Sequence, residues 1–531
     1  MAALLHELIY LSAAKTPQST ALMYREQSVS YGALRELVDR VAGAVLGLDL
    51  ARHDRVAVYL DKRPETVAAM FGVAAAGGVF VPINPVLKAT QATYILSDCN
   101  VRILITSPER LQLLAEPLKE CVDLRAVIIV GAVDAAVRIP GVRIISWDEA
   151  MAECGSVRAH RVIDVDMTAI LYTSGSTGKP KGVVLSHRNM VAGAKSVAQY
   201  LENRPDDRVL SALPLSFDAG FSQLSTAFHV GASVTLINYL VPRDVITAVD
   251  KGRITGLTAV PPLWIQLAQL EWPEGARESL RYIANTGGRM PKATLDSLRA
   301  ALPKTLPYLM YGLTESFRST YLPPSEIDRR PDSIGKAIPN AEVLVVREDG
   351  TTCAPGEAGE LVHRGALVSL GYWNDPEKTA ERFKPAPGQP SGLVMPEISV
   401  WSGDTVKTDE EGFLYFISRR DEMIKTSGYR VSPTEVEEVV YATGLVAEVA
   451  ALGIPHPVLG QAIVVVATAR EGATLDTDEL LAQCRVQLPA FMVPARVKVA
   501  TGNLPRNPNG KIDRKLIAVE LQDLFGAGAQ T

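Results

Sequence analysis

Cysteine is scarce and scattered in this chain. The five residues Cys99, Cys121, Cys154, Cys353 and Cys484 form no Cys-x-x-Cys pair, so neither a zinc site nor a disulfide framework is expected, and a reducing cytosol suits them. An excess of basic charge is also missing: 54 Lys+Arg stand against 59 Asp+Glu, for a net charge of -5. Without a positive field to hold a polyanion, nucleic acid is not expected as a partner. The uncharged stretch 66–87 is interrupted by Gly72, Gly77, Gly78, Pro82, Asn84 and Pro85, and reads as buried helix, turn and strand; no integral membrane segment is expected. The N-terminal run carries His6 and Glu7 and has no basic residue ahead of them, unlike a secretory signal, so a cytoplasmic protein is expected. Histidine is rare too, with seven in the chain, and no Ser-His-Asp or Cys-His constellation stands out.

What is present is ample apolar material. The chain has 531 residues, 47% hydrophobic and 21% charged, enough for several folding units fused around packed cores. Leu34, Leu37, Val38, Val41, Val45 and Leu46 recur at helical spacing, and 55–60 (RVAVYL) then alternates as a strand. Strand patterns at 102–106, 126–130, 169–172, 233–237, 258–260 and 282–284, with helical segments between them, predict helix-covered parallel sheets. Between 341 and 364 the rhythm changes to EVLVV and GELVH around a turn-rich EDGTTCAPGEAG, as in an antiparallel subdomain. Beyond 420 the pattern predicts a helix at 433–442, strands at 446–452 and 463–469, and a helix at 477–488. The expected class is α/β: a large N-terminal domain over 1–420 with helix-covered sheets and a β-rich subdomain, then a small mobile α+β lid over 421–531. The charged junction 418–422 (SRRDE) is suited to absorbing rotation between them.

Residues 171–181 read LYTSGSTGKPK, a loop that is either a solvent-exposed turn or a wrapping for phosphates. For the second use Gly175 and Gly178 free the backbone to turn N–H groups onto an anion. Thr173, Ser174, Ser176 and Thr177 add hydroxyls, and Lys181 adds charge. It is not a Walker A loop, because two residues rather than four separate its glycines and Lys179 precedes Pro180.

With this loop the chain resembles the AMP-forming adenylate-forming ligases, the superfamily of acyl-CoA synthetases, peptide-synthetase adenylation domains and firefly luciferase. The resemblance continues through NTGGRMP (285–291), YGLTES (311–316), WSGDTVKTDEEGFLYFISRRDEMIKTSGYRVSPTEVE (401–437) and LPRNPNGKIDR (504–514). The wording further resembles acyl-CoA ligases associated with exosortase A systems. The resemblance implies that Tyr311 offers a flat face to adenine and that Gly287 and Gly288 let backbone approach the base, with Gly312 and Thr314 in the same nucleotide site. It implies that Glu315 holds Mg²⁺ against the ATP phosphates, that Thr173 belongs to the catalytic loop, and that Asp404 and Arg419 grip the ribose. Lys511 would bridge the substrate carboxylate and the α-phosphate, while Asp421 would act as the hinge and Gly428 would line the thiol tunnel. Read singly, each of these residues also has an ordinary structural use: Tyr311 in a core, Glu315 on a surface, Gly403-Asp404 in a turn, Lys511 in solvent.

The implied reaction uses ATP and Mg²⁺ to make an acyl or aminoacyl adenylate, then a thioester on CoA or on the phosphopantetheine of an acyl carrier protein. The alternatives are a stand-alone amino-acid adenylation enzyme loading a carrier protein, luciferase-like oxidation of the adenylate, and a non-catalytic adenylate-binding scaffold. For the acid pocket the resemblance implies Phe217, Asp218, Ser222, Ala259, Asn285, Met310, Arg318 and Ser319. Phe217-Asp218 replaces a histidine common in acyl-CoA synthetases and is similar to the Phe-Asp of amino-acid-activating domains, where the aspartate meets an α-ammonium. Asp218 also immediately precedes the helical run 219–228, and its other use is an N-cap. Arg318 either meets a polar or anionic group on the acid or points outward.

Overall fold

The computed structural model describes residues 2–133, 138–152, 158–173, 180–390, 392–419, 422–426, 429–456, 459–507 and 510–525. Among these, strands form four sheets. One sheet of seven strands runs in the order Arg143–Ser146, Ala126–Ile129, Val101–Thr106, Arg55–Tyr59, Val79–Pro82, Met167–Thr173 and Lys181–Ser186. All pairs are parallel except the last, a hairpin in which Thr173 sits opposite Lys181. The glycine-rich loop therefore leaves one strand and returns on its neighbour. Its tip residues Ser174, Gly175, Ser176, Thr177 and Gly178 lie outside the described residues.

A second sheet of nine strands has a parallel centre, Gly256–Ala259 beside Tyr282–Asn285 beside Leu306–Tyr311. Ala259 pairs with Asn285, and Asn285 with Leu309. The carboxyl ends of neighbouring strands thus deliver Ala259, Asn285, Met310 and Tyr311 to one rim, where open α/β sheets place their ligands. Two helices stand between the sheets, Pro64–Ala76 and Asp218–Val230, and nearly every residue of each is buried. An apolar surface all round a helix marks a central position, and Phe221 stacks with its ring centroid 5.6 Å from Phe71 and 5.2 Å from Phe80. The uncharged stretch 66–87 is accordingly the helix Pro64–Ala76, a left-handed turn at Gly77 and the strand Val79–Pro82.

The antiparallel subdomain follows the sequence expectation, with Ala341–Val346 pairing Gly359–Gly365, which pairs Ile398–Thr408. The C-terminal part has its own cores. On one face of its sheet Val449, Ala451, Ile463 and Val465 pack with Val436, Val440, Leu480 and Cys484. On the other, Ala450, Leu452, Val464 and Val466 pack with Leu504, Ile517 and Leu521. That alternation is the period-two consequence of strands covered on both faces. No helix among the described residues is long and apolar enough to cross a membrane.

Candidate active site

Asp404 and Arg419 are separated by fifteen sequence positions, yet they are cross-strand partners in the hairpin of Ile398–Thr408 with Leu414–Arg419. Arg419 Nε lies 3.3 Å from Asp404 Oδ1, and the Tyr311 hydroxyl donates to Asp404 Oδ2 at 2.5 Å. Tyr311 ends its strand beside this hairpin, so the three groups converge from two sheets. Asp404 is 2% exposed. Burial holds its carboxyl above the ordinary range, while Arg419 and the Tyr311 hydrogen bond oppose that shift. Burial, followed by the Asp404 charge, pushes the Tyr311 phenol well above its usual value. Such a carboxylate, desolvated but already held by two donors, is suited to accepting further hydroxyl donors.

Gly287 turns with φ +76°, and the Asn285 side chain fixes that turn by donating from Nδ2 to the Gly288 carbonyl at 2.8 Å. Asn285 therefore braces the glycine turn, a use the pocket expectation did not contain. Lys511 stands opposite: a Cβ placed on Gly287 would lie 3.8 Å from its Cε. The lysine is carried on a tight turn in which Arg506 bridges to Ile512, and its N–H donates to Asn507 Oδ1 at 3.1 Å. Arg506 anchors that turn through Glu448 and donates to the Gly510 carbonyl at 2.7 Å. Lys511 is exposed. Even so, crowding by protein, then the Arg419 charge, lowers its ammonium pKa, while Asp218, Asp404 and Glu422 counter the shift.

At the foot of the glycine-rich loop, the Tyr372 hydroxyl donates to Glu315 Oε1 at 2.6 Å, and Lys181 Nζ stands 5.4 Å from the Tyr372 ring centroid. Burial lowers the Lys181 pKa, and Glu315 is among the charges that oppose this. Thr173 lies across from Lys181, and Glu315 sits with Thr314 in the single turn Thr314–Ser316. Gly312 permits a close pass of the chain, since a Cβ there would be 3.0 Å from Arg318 Cα. Tyr372 was not visible as a site residue in the sequence, and no spacing signal marks it. Arg382 was missed likewise; it adds positive charge near Asp404, and a Cβ on Gly403 would meet its Nη1 at 2.2 Å.

In the pocket region, Asp218 is the first residue of the helix Asp218–Val230; Phe217 is the N-cap, and no side-chain cap bond is made. The capping alternative is thereby corrected, because the helix begins one residue earlier than the pattern suggested and the carboxylate has another partner. Arg318 is buried and does not point outward: its Nη1 donates to Asp218 Oδ2 at 2.6 Å and to the Phe317 carbonyl at 2.8 Å. A cavity of about 20 Å³, room for roughly one water, is lined by Ser222, Thr226, Met310 and Arg318 among others. Ala259 accepts Trp264 Nε1–H on its carbonyl. Ser319 sits in a buried network with Ser316 and His363. Asp421 and Gly428 lie outside the described residues.

The two parts of the chain match two family models, "AMP-binding enzyme" over residues 10–373 and "AMP-binding enzyme C-terminal domain" over 435–511. Indoleacetate–CoA ligase of Aromatoleum aromaticum is 30% identical over 96% of this chain and 96% of its own. L-proline–[L-prolyl-carrier protein] ligase of Pseudomonas fluorescens is 29% identical over 98% of this chain and 99% of its own. The ATP-bound crystal structure of MatB from Rhodopseudomonas palustris, 25% identical, superposes with a TM-score of 0.86 over 99% of this chain and 100% of its own. Its apo form gives 0.75 over the same shares. A large α/β domain and a smaller C-terminal one, matched over nearly their whole length and meeting at the cleft just described, place the chain in the AMP-binding enzyme family as an ATP-dependent, AMP-forming acid–thiol ligase.

Proposed function

We propose that this ligase joins a small carboxylic acid to the thiol of CoA in two half-reactions at one cleft. In the first, a carboxylate oxygen attacks the α-phosphorus of ATP and the bond to pyrophosphate breaks. In the second, the thiol sulfur attacks the acyl carbon, AMP leaves, and the thiol proton passes to solvent. The observation that carries this reading is the convergence of Lys511, from the C-terminal part, with Gly287, Asp404 and Arg419 of the large part. A cation held there faces the negative charge that gathers between acid and α-phosphate in the transition state. The higher match to the ATP-bound than to the apo MatB form supports reading this arrangement as the adenylating one.

Tyr311 and the Gly287-Gly288 turn, with Gly312 and Thr314 beside them, are assigned to the purine, Asp404 and Arg419 to the ribose hydroxyls, and the loop 173–181 to the phosphates. Glu315 suits a Mg²⁺ ion that arrives on the nucleotide: Tyr372 fixes one carboxylate oxygen, and such an ion needs only one or two protein carboxylates beside phosphate oxygens. Separate cores on either side of the junction support a rigid-body lid over 421–531, with Asp421 as the hinge and Gly428 on the thiol path. CoA, rather than a phosphopantetheinyl carrier protein, is favoured as acceptor by the Aromatoleum relative, and supply of ATP and CoA suits a cytoplasmic enzyme. The test is pyrophosphate exchange across a panel of acids, followed by mass detection of the CoA thioester. Exchange without any thioester on CoA would move the acceptor to a carrier protein, and no exchange with any acid would remove the reading.

A further inference from the structure

We propose that Arg318 is a built-in cation for Asp218 and thereby the specificity-determining residue that makes this ligase select acids lacking an α-ammonium group. The inference rests on the adenylation reading above and names the substrate class of that site. Asp218 opens the helix Asp218–Val230 at the edge of the cleft, and its charge acts on Lys511 across it. A carboxylate so placed would attract a substrate ammonium, because a desolvated charge needs an opposite partner. Here the partner is supplied by the chain. Arg318 Nη1 lies 2.6 Å from Asp218 Oδ2, with side-chain exposures of 3% and 15%. Lys511 is a second cation near enough to interact with the Asp218 charge, so an incoming ammonium meets a carboxylate already matched by Arg318 and further positive charge nearby.

The pairing is built into the backbone. Phe317 adopts φ +57° and ψ -46°, a conformation that a bulky L residue holds only when its surroundings impose it. Its ring is fully buried against Gly193, where an added Cβ would fall 2.3 Å from ring carbon Cδ1. That seat turns the next residue, Arg318, back toward the pocket. On the opposite wall, a Cβ on Gly220 would lie 1.8 Å from the Pro214 carbonyl oxygen, so the 213–217 segment lies directly on the first turn of the helix and sets the aspartate's position. Neither the strained residue nor the two glycine contacts are needed for capping or for an outward arginine.

The test uses the full-length enzyme and matched short acids, butanoate against 2-aminobutanoate and 3-phenylpropanoate against phenylalanine, in pyrophosphate exchange. Wild type is expected to favour the amine-free member of each pair by about 100-fold or more. Arg318→Met should move that ratio toward the amino acid by at least about tenfold, Arg318→Lys should keep the wild-type preference, and Arg318→Met/Asp218→Asn should lose the shift. A binding measurement independent of turnover accompanies it: butylammonium, titrated calorimetrically, should bind Arg318→Met and neither wild type nor the double variant. Wild type preferring the amino acids, or Arg318→Met that is folded yet shows neither the shifted ratio nor ammonium binding, overturns the proposal. Ammonium binding by Arg318→Met in an enzyme that exchanges no acid would instead sustain the pairing and remove the adenylation reading.

Discussion

Lys511 is the residue on which the two parts of the chain depend for chemistry. Crowding by the surrounding protein and then the Arg419 charge lower its ammonium pKa, while Asp218, Asp404 and Glu422 favour the charged form, so the carboxylates around the cleft help to keep it a cation. Lys511→Ala is expected to cost about 3 kcal/mol or more in the adenylation barrier, a fall of ~100-fold or more in pyrophosphate exchange, with nucleotide binding and the unfolding midpoint little changed. Near-normal exchange in that variant would remove the lysine from the reaction. Tyr311→Phe tests a different link. It removes the 2.5 Å hydrogen bond to a carboxylate that is 2% exposed, at a cost of about 1 to 3 kcal/mol. The effect should fall on the KM for ATP while leaving kcat with saturating nucleotide nearly intact; a pure kcat effect would argue that Tyr311 does not serve ribose binding. At this scale the sequence was informative wherever a residue's partner lay in a recognisable motif, as with Asp404 and Arg419. It was silent on Tyr372 and Arg382, whose importance depends on contacts with Glu315 and Asp404 across the fold.

Among elements, the legible ones are those whose periodicity and burial agree. The helix Pro433–Ala442 follows a proline start and an apolar stripe, and the strands Val446–His456 and Gly460–Ala469 read as continuous apolar runs because both faces are covered. The helix Asp218–Val230 was legible in extent but not at its first residue, since Asp and Phe-Asp both suit a helix start and only the Arg318 contact decides the aspartate's direction. The Phe317 turn was not legible at all: its ring seats against a glycine more than a hundred residues away on the helix His187–Tyr200. Gly193→Ala examines that dependence. An alanine in an exposed helix would add about 1 kcal/mol of stability, but here the methyl must displace a buried aromatic ring, and overpacking of this kind costs about 1 to 3 kcal/mol. The variant should unfold at lower denaturant and lose some discrimination against amino acids, because the ring's displacement moves Arg318. A more stable protein with unchanged discrimination would show that the ring seat does not position the arginine.

For the whole molecule, the buried ionisable groups outside the cleft set how stability changes with pH. His187 and His363 are pushed down to about 4 by burial, His187 also by the neighbouring His6. Both rings are almost completely enclosed, and in each the Nε2 atom has no hydrogen-bond partner among the described residues. Between their folded values near 4 and the ordinary histidine value of 6.5, the unfolded chain binds protons that the native protein does not. Stability therefore rises with pH across that window and is lost as the solution is acidified through it. Each ring contributes at most about 3 to 4 kcal/mol over the full window. Lys62 extends the same sign to higher pH. It is 8% exposed, donates from Nζ to the Ala212 carbonyl at 2.8 Å, and is pushed down to about 7 by burial, so the cost of its charge is relieved as pH rises from there toward 10.5. Asp404 and Glu437 act in the opposite sense, since burial raises their native pKa values. For that reason the histidine contribution is best read as a difference. His187→Asn with His363→Gln, which keep a polar side chain in each seat, should flatten the fall in urea midpoint between pH 6.5 and 4 relative to wild type, while the midpoints at pH 8 differ by a constant offset. An acid limb of unchanged steepness in the double variant would mean that paired carboxylates whose native pKa is lowered, such as Asp166 and Asp207, rather than the two enclosed rings, govern the loss of the fold in acid.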